Sequence, residues 1–149
     1  ARADIYATFL PTFRAMTIDH IAIYTHRLEE LRAFYEKHFG ATSNAKYRNP
    51  ATGFESYFLS FPSGARLELM QKPGIPANAN DTVMAQHTGL IHMAFGVSSP
   101  EEVDEKARLF QQAGLSILRG PRLTGDGYYE FEMLDPDGNR IEVTTTLHR

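Results

Sequence analysis

The 149-residue sequence predicts an α+β fold made of two tandem βαβββ modules that curl into a half-barrel. Three observations carry that prediction. Residues 18–24, Ile-Asp-His-Ile-Ala-Ile-Tyr, repeat as residues 90–96, Leu-Ile-His-Met-Ala-Phe-Gly, so His20 and His92 correspond 72 residues apart. Each copy is followed by a helical pattern that stops at a glycine, Gly40 and Gly114, 74 residues apart. Each half then closes on a similar strand, Gly64-Ala65-Arg66-Leu67-Glu68-Leu69 and Gly138-Asn139-Arg140-Ile141-Glu142-Val143, again 74 apart.

Taken in order, residues 1–15 precede Met16 and read as an appended or non-core leader. Within it Ile5, Tyr6, Phe9, Leu10 and Phe13 fall at helical spacing, with Pro11 as a breaker. The first module runs over 16–71: a strand around His20, a helix from Leu28 to Phe39, and strands from Phe54 to Phe61 and from Arg66 to Gln71. Residues 72–89, rich in Pro, Asn and Ala, read as the linker. The second module runs over 90–149. Its helix opens on Pro100-Glu101-Glu102, where proline suits the first turn and the acids face the positive end of the helix dipole. A short strand from Ser116 to Leu118 follows, then Tyr128 to Leu134, a turn at Asp135-Pro136-Asp137-Gly138, and a last strand from Arg140 to Thr146.

Composition narrows the chemistry. Apolar residues make up 42% and charged residues 22%, an ordinary globular balance. Fifteen basic against eighteen acidic residues leave a net charge of −3 with no like-charge run, so nucleic acid is not an expected partner. Cysteine is absent, which excludes thiolate nucleophiles, Cys-ligated zinc and iron–sulfur clusters. No apolar stretch approaches the ~18–20 residues of a membrane span, and the expectation is a soluble, cytoplasmic protein.

Four ionisable residues stand between apolar neighbours on strands: His20, Glu68, His92 and Glu142. Side chains alternate faces along a strand, so each points away from its neighbours, and the repeat places them at equivalent positions in the two halves. One His and one Glu from each half, brought to a common centre, form a ligand set for one divalent metal with positions left open for water or substrate. Tyr24 shares the face of His20 and is a candidate pocket residue. Tyr128 and Tyr129 alternate, so one of them faces the same pocket, and Tyr128 is taken as that residue. Arg119, Arg122 and the Gly125-Asp126-Gly127 turn are candidates for its rim, whereas His26, His38, His87 and His148 read as surface residues.

These motifs, Asp19-His20-Ile21-Ala22, Arg66-Leu67-Glu68-Leu69, Ile91-His92-Met93-Ala94 and Asp135-Pro136-Asp137-Gly138-Asn139-Arg140-Ile141-Glu142, resemble those of the vicinal oxygen chelate superfamily over Met16 to about Thr146. That superfamily includes glyoxalase I, methylmalonyl-CoA epimerase, extradiol dioxygenases, fosfomycin-modifying enzymes and bleomycin-resistance proteins. The full His/Glu/His/Glu set looks like glyoxalase I. The resemblance implies a lyase or isomerase acting on the hemithioacetal of an α-keto-aldehyde, with one Ni, Zn, Co, Mn or Fe ion bound by His20, Glu68, His92 and Glu142. It further implies Glu142 as catalytic base, Glu68 as its near-symmetric catalytic partner, and a homodimer. Where glutathione-using members carry an Arg and an Asn, this sequence has Tyr24 and Lys72, so Lys72 joins Tyr24 and Tyr128 as a substrate-binding candidate. The alternatives are an epimerase of acyl-CoA thioesters and a small-molecule-binding resistance protein.

Overall fold

The computed structural model describes residues 15–79 and 83–147, so the leader reading and His148 lie outside the described residues. The first half contains β1 (His20–Tyr24), α1 (Leu28–Phe39), β2 (Thr42–Ser43), β3 (Tyr47–Asn49), β4 (Phe54–Ser60) and β5 (Arg66–Gln71). The second contains β6 (His92–Gly96), α2 (Pro100–Gln112), β7 (Ile117–Leu123), β8 (Tyr128–Leu134) and β9 (Arg140–Thr146). The first sheet is ordered β1-β5-β4-β2, with β3 also on β4, and the second β6-β9-β8-β7. In both, the opening strand lies parallel to the closing strand, and the remaining pairs are antiparallel. Over the described residues this is a mixed α+β fold with two sheets and two helices.

Local chemistry explains the helix limits. In α1, Leu28, Leu31, Phe34 and Tyr35 form the buried stripe, and the chain leaves the helix at Gly40 with φ +67°, a left-handed conformation that glycine adopts without a Cβ penalty. In α2, Val103, Ala107 and Phe110 are buried, Ser99 Oγ accepts from the Glu102 N–H, and Glu102 Oε2 accepts from the Ser98 N–H at 2.9 Å. The first bond satisfies an N–H that the first turn otherwise leaves unpaired, and the second ties the helix to the residue before its cap.

The structure differs from the sequence reading at the sheet edges. The strand expected to stop at Leu118 continues as β7 to Leu123, through Gly120 and Pro121. β7 is the edge of its sheet, where a missing N–H costs no ladder bond, and the register shifts against β8 absorb the irregularity. β2 and β3 are also additional to the reading; they are only 2 and 3 residues long and both add to β4.

The halves are joined through the helices, so each sheet keeps one face free. Phe39 of α1 packs on Phe95 of β6 at 4.5 Å and on Phe110 of α2 at 5.4 Å, and Phe61 meets Phe95 at 5.3 Å. His38, expected at the surface, is half-buried here, with its ring against Phe34 and Phe110. The 135–138 turn supplies the polar part of the seam. Tyr35 donates its hydroxyl to Asp135 Oδ2 at 2.9 Å, and Arg27 donates to Asp137 Oδ1 at 3.0 Å and to the Pro136 carbonyl.

Burial raises the Asp135 carboxyl above its ordinary value, although hydrogen bonds from Asn139, Tyr35 and the Asp137 N–H oppose the shift. An acid with a raised native value binds its proton more tightly folded than unfolded, so its contribution is fully present below the unfolded value of 3.8 and is lost as pH rises through the native value. Asp135→Asn lacks this titration. The wild-type melting temperature minus that of Asp135→Asn is therefore expected to be smaller at pH 6.5 than at pH 4, measured by thermal unfolding; a difference that grows with pH contradicts it.

Candidate metal centre

The register of each sheet repeats the same local construction. Ala22 of β1 lies beside Glu68 of β5, and Ala94 of β6 lies beside Glu142 of β9. The histidine two residues before each alanine shares its face, so the small alanine side chain leaves space in front of each carboxylate. His20 Nε2 is 3.7 Å from Glu68 Oε2, and His92 Nε2 is 3.2 Å from Glu142 Oε2. Both imidazoles are more than a third exposed, while both carboxylates are 15% exposed. Two donors each about 2.1 Å from one cation stand about 3.0–3.4 Å apart, so the His92–Glu142 spacing fits a divalent metal as it stands, and the His20–Glu68 pair, with the same donor types, fits once it closes by about 0.3 Å.

His20 is oriented by a chain of neighbours. Its Nδ1 is 2.8 Å from Asp19 Oδ2, and Arg66 donates to the same oxygen at 2.6 Å, which holds the Asp19 carboxyl below its usual range. A carboxylate on Nδ1 selects the tautomer that leaves Nε2 with its lone pair toward Glu68. The ring also stands edge-on to Phe58 at 5.3 Å, and the Arg66 guanidinium lies 4.5 Å over Phe58.

Glu142 has different surroundings. Its cross-strand neighbour is Glu132, and Glu130, Glu132 and Glu142 place carboxylate oxygens within 4.8 Å of one another. Arg122 reaches Glu130 and Glu132 at 3.3 Å each, and Arg140 pairs with Glu132 at 2.5 Å, so this cluster carries its own counter-charges. Burial first, with Glu130 and Glu132 adding to it, raises the Glu142 carboxyl; His92 and Arg122 oppose the shift.

The two pairs do not meet within the chain. Among the described residues, the three-glutamate cluster is the one group of three or more candidate ligand atoms so close together. A cleft of about 610 Å³ between β1 and β6 is lined by Tyr24, His26, Ile75, His87, Leu90 and His92 among others, and not by His20, Glu68 or Glu142. Each sheet thus presents its His–Glu pair on a face open to solvent.

The remaining candidates divide by face. Tyr24 is 40% exposed on the His20 face, with Lys72 Nζ 5.6 Å from its ring centroid. Tyr128 lies on the face of Glu130 and Glu132, opposite Thr146, whereas Tyr129 points the other way and donates to Asp104 at 2.8 Å. Arg122 is committed to the glutamates, and Gly125-Asp126-Gly127 forms the tip of the β7–β8 hairpin, with Thr124 Oγ1 bonded to Asp126 at 2.5 Å. The sequence reading assigned no role to Asp19, Arg66, Phe58, Glu130 or Glu132. Asp19 is adjacent to His20 in sequence, but the others reach the His–Glu pairs through strand register.

Two sheets with paired His and Glu at equivalent positions on their open faces define the class of small α+β protein built by duplication of a βαβββ unit. The chain belongs to the Glyoxalase/Bleomycin resistance protein/Dioxygenase superfamily, which it matches over residues 17–143. Among solved structures it is similar to lactoylglutathione lyase from Agrobacterium tumefaciens, with 25% identity, a TM-score of 0.62, and coverage of 87% of this chain and 93% of that one. It is also similar in fold to the trypanothione-dependent glyoxalase I of Leishmania major, at 22% identity and TM-score 0.67 over 87% of this chain and 86% of that one. A glyoxylase/bleomycin resistance protein/dioxygenase domain from Frankia sp. EAN1pec has TM-score 0.73 at 16% identity, covering 89% of this chain and 99% of that one. Among curated proteins no match is found. No helix among the described residues is long and apolar enough to cross a membrane.

Proposed function

We propose that the chain is a metal-dependent, glyoxalase I-like lyase or isomerase that converts the hemithioacetal of an α-keto-aldehyde into a 2-hydroxy thioester, at a site completed by a second copy of the chain. The observation that carries this reading is the recurrence of one His–Glu pair at the same register on both sheets, with the donor separations given above. Each pair offers two donors, and the first sheet of one copy facing the second sheet of its partner supplies four. Met16, Ile18, Met84 and Leu90, between 70% and 97% exposed, are apolar residues that a contact between copies would remove from water.

His20, Glu68, His92 and Glu142 would hold the ion, for which Ni, Zn, Co, Mn and Fe all suit oxygen and imidazole donors. When bound, it supplies Lewis acidity that stabilises negative charge on the two adjacent substrate oxygens. Glu142 accepts the proton from the carbon bearing sulfur and hydroxyl, and the C–H electron pair becomes the double bond of an enediolate. The proton then returns from Glu142 to the neighbouring carbon, while the hydroxyl proton of the first carbon passes to the oxygen of the second. The first carbon is oxidised to the thioester carbonyl and the second is reduced to the carbinol, so no outside oxidant enters. Glu130 and Glu132 stand beside Glu142 on the same sheet. Glu68, lacking such acidic neighbours, serves the opposite face of the substrate.

The test combines metal analysis with turnover. Purified protein is expected to take up one divalent ion per chain and to form thioester from methylglyoxal with at least one thiol in a panel, followed by absorbance. Metal uptake with epimerisation of an acyl-CoA thioester and no hemithioacetal turnover overturns the proposal in favour of an epimerase. Folded protein that takes up no Ni, Co, Mn, Fe or Zn overturns it in favour of a binding protein.

A further inference from the structure

The two open faces share one register plan but carry different side chains, and the difference bears on the substrate. Gly96 lies beside Thr144 on the second sheet, where Tyr24 lies beside Met70 on the first. The next strand continues the contrast. Glu130 and Glu132 stand opposite Thr144 and Glu142, where Ser56 and Phe58 stand opposite Met70 and Glu68. Around its His–Glu pair the first face is therefore largely apolar, and the second is polar.

Thr144 and Gly96 form a notch on the second face. Thr144 is two residues along β9 from Glu142 and shares its face, about 7 Å away at ~3.3 Å per residue. Gly96 has no side chain, and a Cβ there would meet no atom within 4 Å beyond its chain neighbours, so there is room for a small group beside Thr144. The Thr144 hydroxyl oxygen is buried and has no hydrogen-bond partner among the described residues, while the residue as a whole is half-buried. β9 is paired on both sides, so the exposed part of Thr144 is mainly its methyl, and rotation about χ1 exchanges methyl and hydroxyl. A buried hydroxyl without a partner carries a free-energy penalty that a ligand supplying one removes.

We infer that Thr144, with the notch at Gly96, is a specificity-determining residue that receives a hydroxyl group on the aldehyde-derived end of the substrate. The substrate class is then the hemithioacetal of an α-keto-aldehyde that bears a hydroxyl on its third carbon. The notch takes one small group, which suits that end of the molecule rather than the longer thiol arm. This deepens the glyoxalase-type reading above and rests on it. Thr144 binds the substituent and moves no proton of the reaction.

The test begins with equilibrium binding. Zinc-loaded full-length protein is titrated calorimetrically with butanohydroxamate and with 3-hydroxypropanohydroxamate, which differ by a hydroxyl in place of the terminal methyl and present the same two oxygens to the metal. The hydroxylated compound is expected to bind about three- to tenfold more tightly, the effect of one neutral hydrogen bond. Thr144→Val exchanges hydroxyl for methyl at nearly constant shape and should abolish that advantage without weakening butanohydroxamate, whereas Thr144→Ser should keep it. Gly96→Val fills the notch and should weaken both compounds. With one thiol held fixed, the ratio of kcat/KM for 3-hydroxy-2-oxopropanal to that for methylglyoxal should fall about three- to tenfold in Thr144→Val. Equal affinities in the wild type, or an advantage that survives Thr144→Val, overturn the subsite while leaving the metal site standing. A binding advantage with no change in the kcat/KM ratio overturns its assignment to the aldehyde-derived end. Failure of both hydroxamates to bind zinc-loaded protein overturns the metal reading and the subsite with it.

Discussion

Glu142→Gln is expected to lower turnover by about 10²–10⁴-fold while the protein retains substantial metal, because losing a positioned general base costs that much in rate. The amide keeps the shape of the side chain and an oxygen donor, but it does not accept a proton from carbon at neutral pH. Glu68→Gln should cost less or change which substrate stereoisomer is processed, since Glu68 lacks the acidic neighbours Glu130 and Glu132 that raise Glu142. His92→Ala, which removes a donor outright, should lower metal content and turnover together. Metal content and rate measured on the same samples separate these cases. Full activity in Glu142→Gln removes it from the base role, and a larger loss in Glu68→Gln transfers that role to Glu68.

The second large effect is complementation between two inactive chains. If each site takes its first sheet from one copy and its second from the other, His20→Ala and Glu142→Gln damage opposite halves. A mixed dimer then has one site with both defects and one with neither. Random pairing makes about half of all dimers mixed, each with one of its two sites intact, so co-refolded protein should recover about a quarter of wild-type activity. Each variant refolded alone should remain near its own low rate. Recovery absent from a demonstrably mixed dimer assigns all four ligands to one chain and contradicts the shared site.

The dependence of that experiment on separation of the two pairs shows where sequence reasoning stopped. Strand periodicity and the 72–74-residue repeat made β1, β5, β6 and β9 readable, because the signals are local: an apolar residue on each side of a polar one, a glycine after a helical stripe, a turn at 135–138. The same alternation puts Tyr128 and Tyr129 on opposite faces, and Tyr128 shares the face of the glutamates. β7 was legible only in part, since Gly120 and Pro121 look like a stop unless the strand is known to be an edge.

By itself, then, the sequence determined the duplicated βαβββ plan and the choice of His20, Glu68, His92 and Glu142 as equivalent residues, since both follow from spacing along the chain. Only the tertiary structure decided what surrounds them. Asp19 and Arg66 orient His20, while Glu130 and Glu132 crowd Glu142, because parallel and antiparallel register brings together residues far apart in sequence. The packing of Phe39, Phe95 and Phe110 also decided that the halves join through their helices and leave both His–Glu faces open. A strand's alternation says which residues share a face, but what a face meets depends on the free energy of burying one set of aromatic side chains rather than another, and that is a property of the assembled core.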